Sequence, residues 1–373
     1  MKKYFLDVAS TTRPYDEVIE TMANVMKNHY GNPSSIHEMG VYAKHIIENV
    51  RDQIAEDINC DPSEIIFTSG ASESNSLALC GTRFDNIITT HLEHKSIEKI
   101  LDGNTFTKAS YIPVDSYGNI NFIEFNKILN AYNSGLISIQ GANSEIGTIQ
   151  DLSSISNAIT DKNFALHVDM TQVFPEEKIN VKELNIDLMS VSAQKFHGPK
   201  GVGFLYCKKG TSLSPIVYGS QENGLRGGTY NVEGIAGMGK ALEMNRNLRG
   251  YRNACTRFNR DSIYNELIKI KGVCLNGPDI GANRLYNNLS LRVDGVNASD
   301  LVTMASMHGI YISNGSACSS GDAIPSSTLK AIGLTNKEAL STIRITVDET
   351  LNQHDIMDIV KILKGLIKQL RTS

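Results

Sequence analysis

The chain has 373 residues, of which 41% are hydrophobic and 20% charged, and its 36 Lys and Arg nearly balance 40 Asp and Glu. This length predicts two domains, or one large α/β domain with an appendage, able to bury a sizeable core. The net charge of −4, with no basic block or acidic tail, disfavours nucleic-acid or membrane-surface binding driven by bulk charge.

Apolar runs and cysteine usage both bear on the cellular compartment. No apolar run approaches the ~18 residues that a bilayer span needs. Asp7 and the polar run after it interrupt any signal-peptide core behind Lys2 and Lys3. The six cysteines are scattered, without a CxxC pair or a pairing rhythm. We therefore expect a cytoplasmic protein with reduced thiols, of which at most one or two carry chemistry.

In chain order, the first strong signal is a helix face whose apolar residues recur at spacings of three and four: Ala43, Ile46, Ile47, Val50 and Ile54. Short apolar runs bounded by turn residues then predict strands at 65–67, 87–88, 111–114, 136–139, 165–168, 188–191 and 202–206. Helical patterns lie between several of them, as at 122–132 and 151–160. Apolar strands that alternate with helices predict an α/β fold with a mostly parallel sheet covered on both faces.

The last third of the chain has a different order of predicted elements. Helical periodicity runs from about 232 to 270. The elements predicted after it are a strand at 289–293, a helix at 298–308, a Gly/Ser-rich segment at 313–321, a strand at 343–347 and a closing helix. This order predicts a smaller α+β domain after about residue 250.

A lysine stands out in residues 190–201, SVSAQKFHGPKG, which join an apolar strand to a strand that begins at Val202. Lys195 ends a buried strand and has hydroxyl, amide and glycine neighbours. Such a position suits Schiff-base chemistry, because burial can keep part of the amine neutral. Considered alone, a surface lysine in a turn is the commoner alternative.

A carboxylate follows another apolar strand, in residues 167–172, HVDMTQ. Asp169 lies at the carboxyl edge of that strand, where open α/β sheets bind ligands, and is placed to keep a pyridinium nitrogen protonated. Gln172 is placed to donate to a phenolate oxygen. The alternative for Asp169 is an N-cap of the next helix.

Residues 67–73, FTSGASE, combine a strand, a glycine turn and a helix start. Free N–H groups there, with the Ser72 hydroxyl and the helix dipole, form a phosphate cradle, although helix capping alone also explains the motif. The segment lacks both GK[ST] and GxGxxG, so neither nucleotide class is supported.

Three further residues are candidates on their local setting. His94 follows the strand that ends near Thr90 and is placed to cover an aromatic cofactor and exchange protons, although lone histidines are usually structural. Arg344 lies inside an apolar strand and needs a partner, either a substrate carboxylate or a structural Asp or Glu. Cys318, in the small polar segment 313–321, is either a thiol able to swing to a substrate or an inert loop thiol.

Together these motifs resemble the cysteine desulfurases, pyridoxal-phosphate enzymes of the class V aminotransferase-like group with fold type I. The resemblance is closest to the branch that supplies sulfur for iron–sulfur clusters and tRNA thiolation, and it runs nearly end to end. The matching segments, in order, are 5–7, 30–37, 68–72, 93–94, 143–147, 167–172, 195–201, 226–229 and 315–318.

The resemblance implies an architecture and a division of the chain. A large cofactor-binding domain at 13–250 would hold a mostly parallel mixed sheet between helices. A smaller α+β domain would comprise 1–12 and 251–373, and would carry the acceptor-cysteine loop at about 313–325.

The resemblance also implies site residues, and no metal. Lys195 would form a Schiff base with pyridoxal phosphate, Asp169 would face the pyridine nitrogen, Gln172 the ring hydroxyl, and His94 the ring face. The residues implied for the phosphate are Ala71, Ser72, Ser192, Gln194 and, from the second subunit of a homodimer, Thr229. The substrate carboxylate would be bound by Arg344 and Asn143, and Cys318 would accept the sulfur.

Several positions depart from the pattern of that family. Gln194 stands where His is usual, and Ser72 where Thr is usual. Ser144 replaces the second Asn of the usual Asn-Asn-Glu, which removes an amide donor close to cofactor and substrate. Val8 and Ser10 depart from the common Asn-Ala-Ala. These departures bear on efficiency and substrate preference.

The expected reaction removes sulfur from L-cysteine, gives L-alanine and leaves a persulfide on Cys318, with His94 as acid or base for the substrate thiol. The persulfide would pass to an acceptor protein, such as an iron–sulfur scaffold or a tRNA thiolation enzyme, without direct nucleic-acid or membrane contact.

One alternative is another reaction on the same cofactor, transamination or selenocysteine lyase chemistry. Another is a catalytically weakened paralogue that acts as a binding partner. A metal hydrolase is disfavoured, because no residues have metal-ligand spacing.

Overall fold

The computed structural model describes residues 2–103, 108–314, 317–319 and 322–372, and of 317–319 and 322–323 the backbone alone. Its strands are β1 (Tyr4–Phe5), β2 (Ile65–Thr68), β3 (Asn86–Thr90), β4 (Lys108–Ile112), β5 (Ser134–Gln140), β6 (Asn163–Asp169), β7 (Leu188–Ser192), β8 (Gly203–Cys207), β9 (Val273–Leu275), β10 (Asn288–Val293), β11 (Ile310–Tyr311), β12 (Ser313–Asn314), β13 (Ala317–Ser319), β14 (Asp322–Ile324) and β15 (Thr342–Thr346). Its α-helices are α1 (Asp16–Asn28), α2 (Glu38–Ile58), α3 (Ala71–Gly81), α4 (Lys95–Gly103), α5 (Phe122–Asn130), α6 (Leu152–Ile159), α7 (Val232–Leu267), α8 (Ala298–Met307), α9 (Ser327–Ala331), α10 (Asn336–Leu340) and α11 (Gln353–Thr372).

A seven-stranded sheet in the order β2-β8-β7-β6-β5-β3-β4 forms the centre of the molecule. Its five strands from β3 to β7 are parallel, whereas β8 runs antiparallel to both β7 and β2. Alternate residues of one strand enter different core clusters: Leu136 packs on one face, and Ile137 and Ile139 on the other. Both faces are therefore buried, which is why these strands are apolar throughout.

A second, smaller sheet is antiparallel, in the order β12-β15-β10-β9. It packs with α8, α11 and the C-terminal end of α7 around a cluster that includes Leu289, Ile345 and Leu363. Tyr4 and Leu6 belong to the same cluster, because β1 pairs with β11. The first residues of the chain are thereby fixed against its last third.

The observed elements confirm the predicted fold class, with differences at the element ends. The strand predicted at 111–114 lies at Lys108–Ile112, because Pro113 has no N–H to continue the ladder. The Gly/Ser-rich segment at 313–321 contains β12 and β13, and the backbone of β13 pairs antiparallel with β14, so that Cys318 lies opposite Ala323. No helix among the described residues is both long and apolar enough to cross a membrane. The proposed division into domains stays a prediction.

Candidate active site

The carboxyl ends of the parallel strands surround a cavity of about 450 Å³, within the ~300–1,000 Å³ range of small-molecule sites. In the sheet register, Gln140 at the end of β5 lies beside Asp169 at the end of β6. The wall of the cavity is formed by Ala9, Ser10, Ser69, Gly70, Ala71, Ser72, Glu73, His94, Gln140, Ala142, Ser144, Asp169, Thr171, Gln172, Ser192, Gln194, Lys195 and Arg344. Nine of the predicted site residues are thus brought together from segments more than 250 positions apart.

Lys195 enters the cavity from a short 3-10 turn, Ala193–Lys195, directly after β7. Its Nζ donates hydrogen bonds to the carbonyl oxygens of Ala9 at 2.6 Å and Ser10 at 2.7 Å. Burial, reinforced by the positive charge of Arg344, lowers the pKa of the Lys195 ammonium from 10.5 to about 8. A sizeable fraction of this amine is therefore neutral near physiological pH, as a nucleophilic amine must be.

Asp169 is buried and held from two directions. Asn75, in α3, donates from Nδ2 to Asp169 Oδ2 at 2.8 Å, and the backbone N–H of Thr171 donates to Oδ1 at 3.0 Å. Two residues earlier on β6, His167 lies between the hydroxyl groups of Ser138 and Ser190, each 2.9 Å from a ring nitrogen. Burial lowers the pKa of His167 to about 4, so the imidazole under the carboxylate is neutral.

The N-terminus of α3 faces the cavity at the turn predicted as a phosphate cradle. Gly70 precedes the helix with a φ of +147°, a region that favours glycine, and a Cβ there would lie 3.4 Å from Ser192 Oγ. Glu73 accepts from the N–H of Ser69 at 2.7 Å and pairs with Arg226 at 2.8 Å, which fixes the turn. The first N–H groups of the helix are left without intrahelical partners, as an anion requires.

His94 lies just before α4, and its Nδ1 accepts from the Ser96 N–H at 3.1 Å. Because Nδ1 is an acceptor, the proton of the neutral ring resides on Nε2. Burial lowers the pKa of His94, an effect that Asp169 opposes. Burial also raises the pKa of Glu93, one residue earlier, well above its ordinary value.

Arg344 faces the cavity from the second residue before the end of β15. Its Nη2 donates to Asp7 Oδ1 and to Ser10 Oγ, both at 2.7 Å, and its Nη1 to the carbonyl oxygen of Ser144 at 3.3 Å. The sequence left two alternative partners for Arg344, a structural acidic residue and a substrate carboxylate, and the structure is compatible with both. Arg344 has a structural carboxylate in Asp7 and also lines the cavity.

Three predicted site residues are not in the cavity wall. Asn143 donates to the Leu92 carbonyl oxygen at 3.0 Å and its Oδ1 accepts from the N–H groups of Glu145 and Ile146 at 2.8 Å each, so its amide builds the turn behind the site. Thr229 is exposed, in the loop before α7. The side chain of Cys318 lies outside the described residues. The roles of all three stay predictions.

Further residues that the sequence patterns did not indicate either line the cavity, as Gln140, Ala9 and Ser10 do, or hold its wall residues from behind, as Asn75 and Asp7 do. Gln140 could have been found, because it ends an apolar strand as Asp169 does. Asn75 lies one turn after Ser72 on the same helix, which is also a local signal. Asp7, Ala9 and Ser10 have no such signal, since their partners Lys195 and Arg344 lie 185 to 337 positions away.

The chain is similar to known proteins in both sequence and fold. The family model described as aminotransferase class-V matches residues 4–358. The chain belongs to the class-V aminotransferase family. It is 39% identical over 380 residues to the protein named cysteine desulfurase IscS 1 of Archaeoglobus fulgidus, across 99% of this chain and 98% of that one.

Solved structures agree with that assignment. A NifS-like protein superposes with a TM-score of 0.90 at 32% identity, covering 99% of this chain and 100% of the other. A structure described as SspA in complex with cysteine superposes with a TM-score of 0.78 at 31% identity, covering 93% of this chain and 99% of that one. Sequence and fold thus lead to the same family across the whole chain.

Proposed function

We propose that the protein is a pyridoxal-phosphate-dependent cysteine desulfurase that converts L-cysteine to L-alanine and stores the sulfur as a persulfide on Cys318. The observation that carries the proposal is the convergence in one cavity of a partly neutral lysine, a buried carboxylate and an unpaired helix N-terminus. Its relatives with the name cysteine desulfurase support the choice of reaction within the family.

The donor set of the cavity fits pyridoxal phosphate. Ala71, Ser72, Ser192 and Gln194 offer N–H, hydroxyl and amide donors to a phosphate at one end of the cavity. Asp169, at another part of the wall, offers a carboxylate to a protonated ring nitrogen. The Thr171 hydroxyl oxygen is buried and lacks a partner among the described residues, so this hydroxyl group is available to hydrogen-bond a ligand. When bound, the cofactor supplies an electron sink for the pair left at the substrate Cα.

The residues of the chain divide the proton transfers between them. Lys195, in its neutral form, accepts the proton from the Cα of the amino acid at Nζ and later returns one. Asp169, oriented by the two hydrogen bonds that it accepts, would hold a proton on the ring nitrogen of the cofactor. His94 presents Nε2–H, and can exchange a proton with the substrate sulfur. Arg344 binds the substrate carboxylate.

The sulfur step uses the thiolate of Cys318. Its sulfur attacks the sulfur of the bound cysteine, so that an S–S bond forms and the substrate Cβ–S bond breaks. The electron pair of that bond goes to the substrate carbon skeleton, which gains protons and leaves as alanine. The balanced result is L-cysteine plus one thiol giving L-alanine plus one persulfide, with no external oxidant or reductant.

The proposal includes partners. A homodimer would bring Thr229 of the second subunit to the phosphate, which accounts for its exposure in a single chain. An acceptor protein of iron–sulfur cluster assembly or tRNA thiolation would take the persulfide, and the cytoplasm is the proposed compartment. Within the part of the chain that the structure describes, no group of acidic, His and Cys side chains could hold a metal ion.

The test is direct. The purified protein, incubated with pyridoxal phosphate, is expected to show visible absorbance and to release alanine from L-cysteine with a reductant. Lys195→Ala should lose both properties, since it removes the reacting amine. Cys318→Ser should keep the absorbance and lose at least ~100-fold in alanine formation, because no thiol remains to take the sulfur.

The variants also separate the alternatives. If Cys318→Ser turns the amino acid over at the wild-type rate, the chain carries out another reaction on the same cofactor. A wild-type protein that stays colourless and inactive would instead be a weakened paralogue. Cys80→Ser is the matched control, because Cys80 is an exposed thiol on α3 outside the cavity and its loss should leave the rate unchanged.

A further inference from the structure

The guanidinium of Arg344 has most of its hydrogens committed within the protein. Both hydrogens of Nη2 have acceptors, Asp7 Oδ1 and Ser10 Oγ, each at 2.7 Å. One hydrogen of Nη1 points to the Ser144 carbonyl oxygen at 3.3 Å. Nε is buried and lacks a partner among the described residues, so a ligand in the cavity cannot reach it.

This arrangement excludes the usual way in which arginine grips a carboxylate. A bidentate contact uses two parallel N–H groups, either Nη1 with Nη2 or Nε with Nη2. Both pairs include Nη2, whose hydrogens are taken by Asp7 and Ser10. A substrate carboxylate therefore finds one free guanidinium hydrogen, on Nη1, and its second oxygen needs a donor from elsewhere.

The hydroxyl of Ser10 is that donor. Its oxygen accepts from Arg344 Nη2, so its own proton is not used in that contact and remains free. Ser10 is exposed and lines the cavity, where a ligand can reach it. We propose that Ser10 is a substrate-binding residue whose hydroxyl, oriented by Arg344, donates to the carboxylate of the amino-acid substrate.

The backbone of Ser10 holds the hydroxyl in this place. Its N–H donates to the Asp7 carbonyl oxygen at 3.0 Å, which closes a turn. Its carbonyl oxygen accepts from Lys195 Nζ at 2.7 Å. The hydroxyl thus lies between the amine that reacts and the guanidinium that binds the carboxylate. An α-amino acid carries its carboxylate one bond from the carbon that bears the amine. Its amine can therefore lie near Lys195 while its carboxylate lies near Ser10 and Arg344.

Charge explains why a neutral donor suits this position. Asp7 is a carboxylate on the same guanidinium nitrogen, so it offsets part of the positive charge that would attract a second carboxylate. A hydroxyl adds a hydrogen bond to an anion without adding charge, and such bonds are worth more than neutral ones. Ser10 therefore contributes to recognition of the carboxylate and not of the side chain of the substrate.

The test compares a ligand with and without its carboxylate. Holoenzyme is titrated with L-alanine and with ethylamine, which is alanine lacking the carboxylate, and the change in cofactor absorbance is followed. Ser10→Ala is expected to raise the half-saturating concentration of L-alanine about tenfold and to leave that of ethylamine within about twofold. The KM for L-cysteine should rise in parallel, while kcat changes less than about threefold.

Two further variants control the comparison. Ser10→Thr keeps a hydroxyl and should restore the preference for alanine. Thr11→Val removes the neighbouring hydroxyl, which contacts Gln194 Oε1 at 3.4 Å and not Arg344, and should leave the alanine-to-ethylamine ratio unchanged. If Ser10→Ala does not load cofactor, Ser10→Val against Ser10→Thr replaces it, because the two differ only in the hydroxyl.

An unchanged alanine-to-ethylamine ratio in Ser10→Ala would overturn the proposal, whether both ligands bind as in the wild type or both are weakened equally. The inference rests on the proposed function for the role of Arg344, but the two fail separately. The binding ratio needs no sulfur chemistry. If the wild-type protein forms no alanine from L-cysteine, the desulfurase assignment is refuted. If Ser10→Ala nevertheless lowers the preference for alanine over ethylamine relative to the wild type, the proposed binding role of Ser10 is supported.

Discussion

At the scale of single residues, the lowered pKa of Lys195 predicts how the rate of cofactor uptake depends on pH. Burial and the charge of Arg344 lower the pKa of this amine to about 8. Only the neutral amine reacts with an aldehyde, so the reactive fraction grows as pH rises through the pKa. The rate at which cofactor-free protein takes up pyridoxal phosphate should rise about tenfold between pH 7 and pH 9, with a midpoint near 8, followed by absorbance in stopped flow.

Arg344→Gln provides the control for that profile. It removes the second cause of the lowered pKa of Lys195, so the midpoint should move to higher pH. Lys200→Ala, which removes an exposed lysine five positions away, should leave the profile unchanged. A flat wild-type profile, or a midpoint near 10 as in an exposed lysine, would contradict the prediction.

Some residues of the site could be predicted from the sequence and others could not. The places of Lys195 and Asp169 in the cavity wall were predictable, because Asp169 ends an apolar strand, Lys195 lies three residues after another, and parallel strands end at one edge of the sheet. Asp7 and Ser10 were not, because their function depends on β1 pairing with β11 and so on the packing of the whole second sheet. Ser10 drew notice only as a departure from a family pattern, which gives no information on its partner.

At the scale of elements, the loop between β5 and α6 is joined to the start of α9. Ser326 Oγ, the N-cap of α9, donates to Glu145 Oε2 at 2.5 Å. Burial raises the pKa of Glu145 from 4.5 to about 7, against the opposing effects of Ser326, Arg344 and Lys95. The folded protein therefore binds this proton more tightly than the unfolded chain, and its stability decreases as pH rises from about 4.5 to 7.

Glu145→Gln should remove that dependence. The amide oxygen of Gln can still accept from Ser326, and the side chain does not ionise. Near pH 4 the variant and the wild type should unfold alike, whereas at pH 8 the variant should be more stable by about 3 kcal/mol, measured by denaturant titration at both values. Glu124→Gln, on the exposed face of α5, is the control and should show no such difference. A variant less stable than the wild type at pH 8 would refute the argument.

Elements also differ in how visible they are in a sequence. The helices α2 and α7 extend over many turns, so their apolar spacing is repeated often enough to be recognised. The pair β13–β14 has three residues in each strand, too few for an apolar spacing to be repeated. No periodicity of side chains can reveal such an element.

At the scale of the whole molecule, three large apolar side chains are exposed on two segments that flank one cavity. Tyr30, Ile36 and Tyr218 are 76%, 99% and 82% exposed. The segments that carry them flank a second cavity, lined by residues such as Pro33 and Gln221. Exposed apolar side chains grouped in this way mark an interaction surface. The loop from 214 to 231, which contains Tyr218, also carries Thr229.

We therefore expect self-association through this surface, and with it the delivery of Thr229 to the site of the second chain. Tyr218→Asp should halve the mass measured by sedimentation equilibrium, because an isologous contact places the new charge at the interface twice. Cofactor retention after dialysis should fall by about tenfold in the same variant. Met357→Asp, at a residue 63% exposed on α11, should change neither quantity. A wild-type protein that sediments as a monomer would refute the prediction, because no second chain would then supply Thr229. A Tyr218→Asp variant that keeps the dimer mass would refute it as well, because the interface would then lie elsewhere.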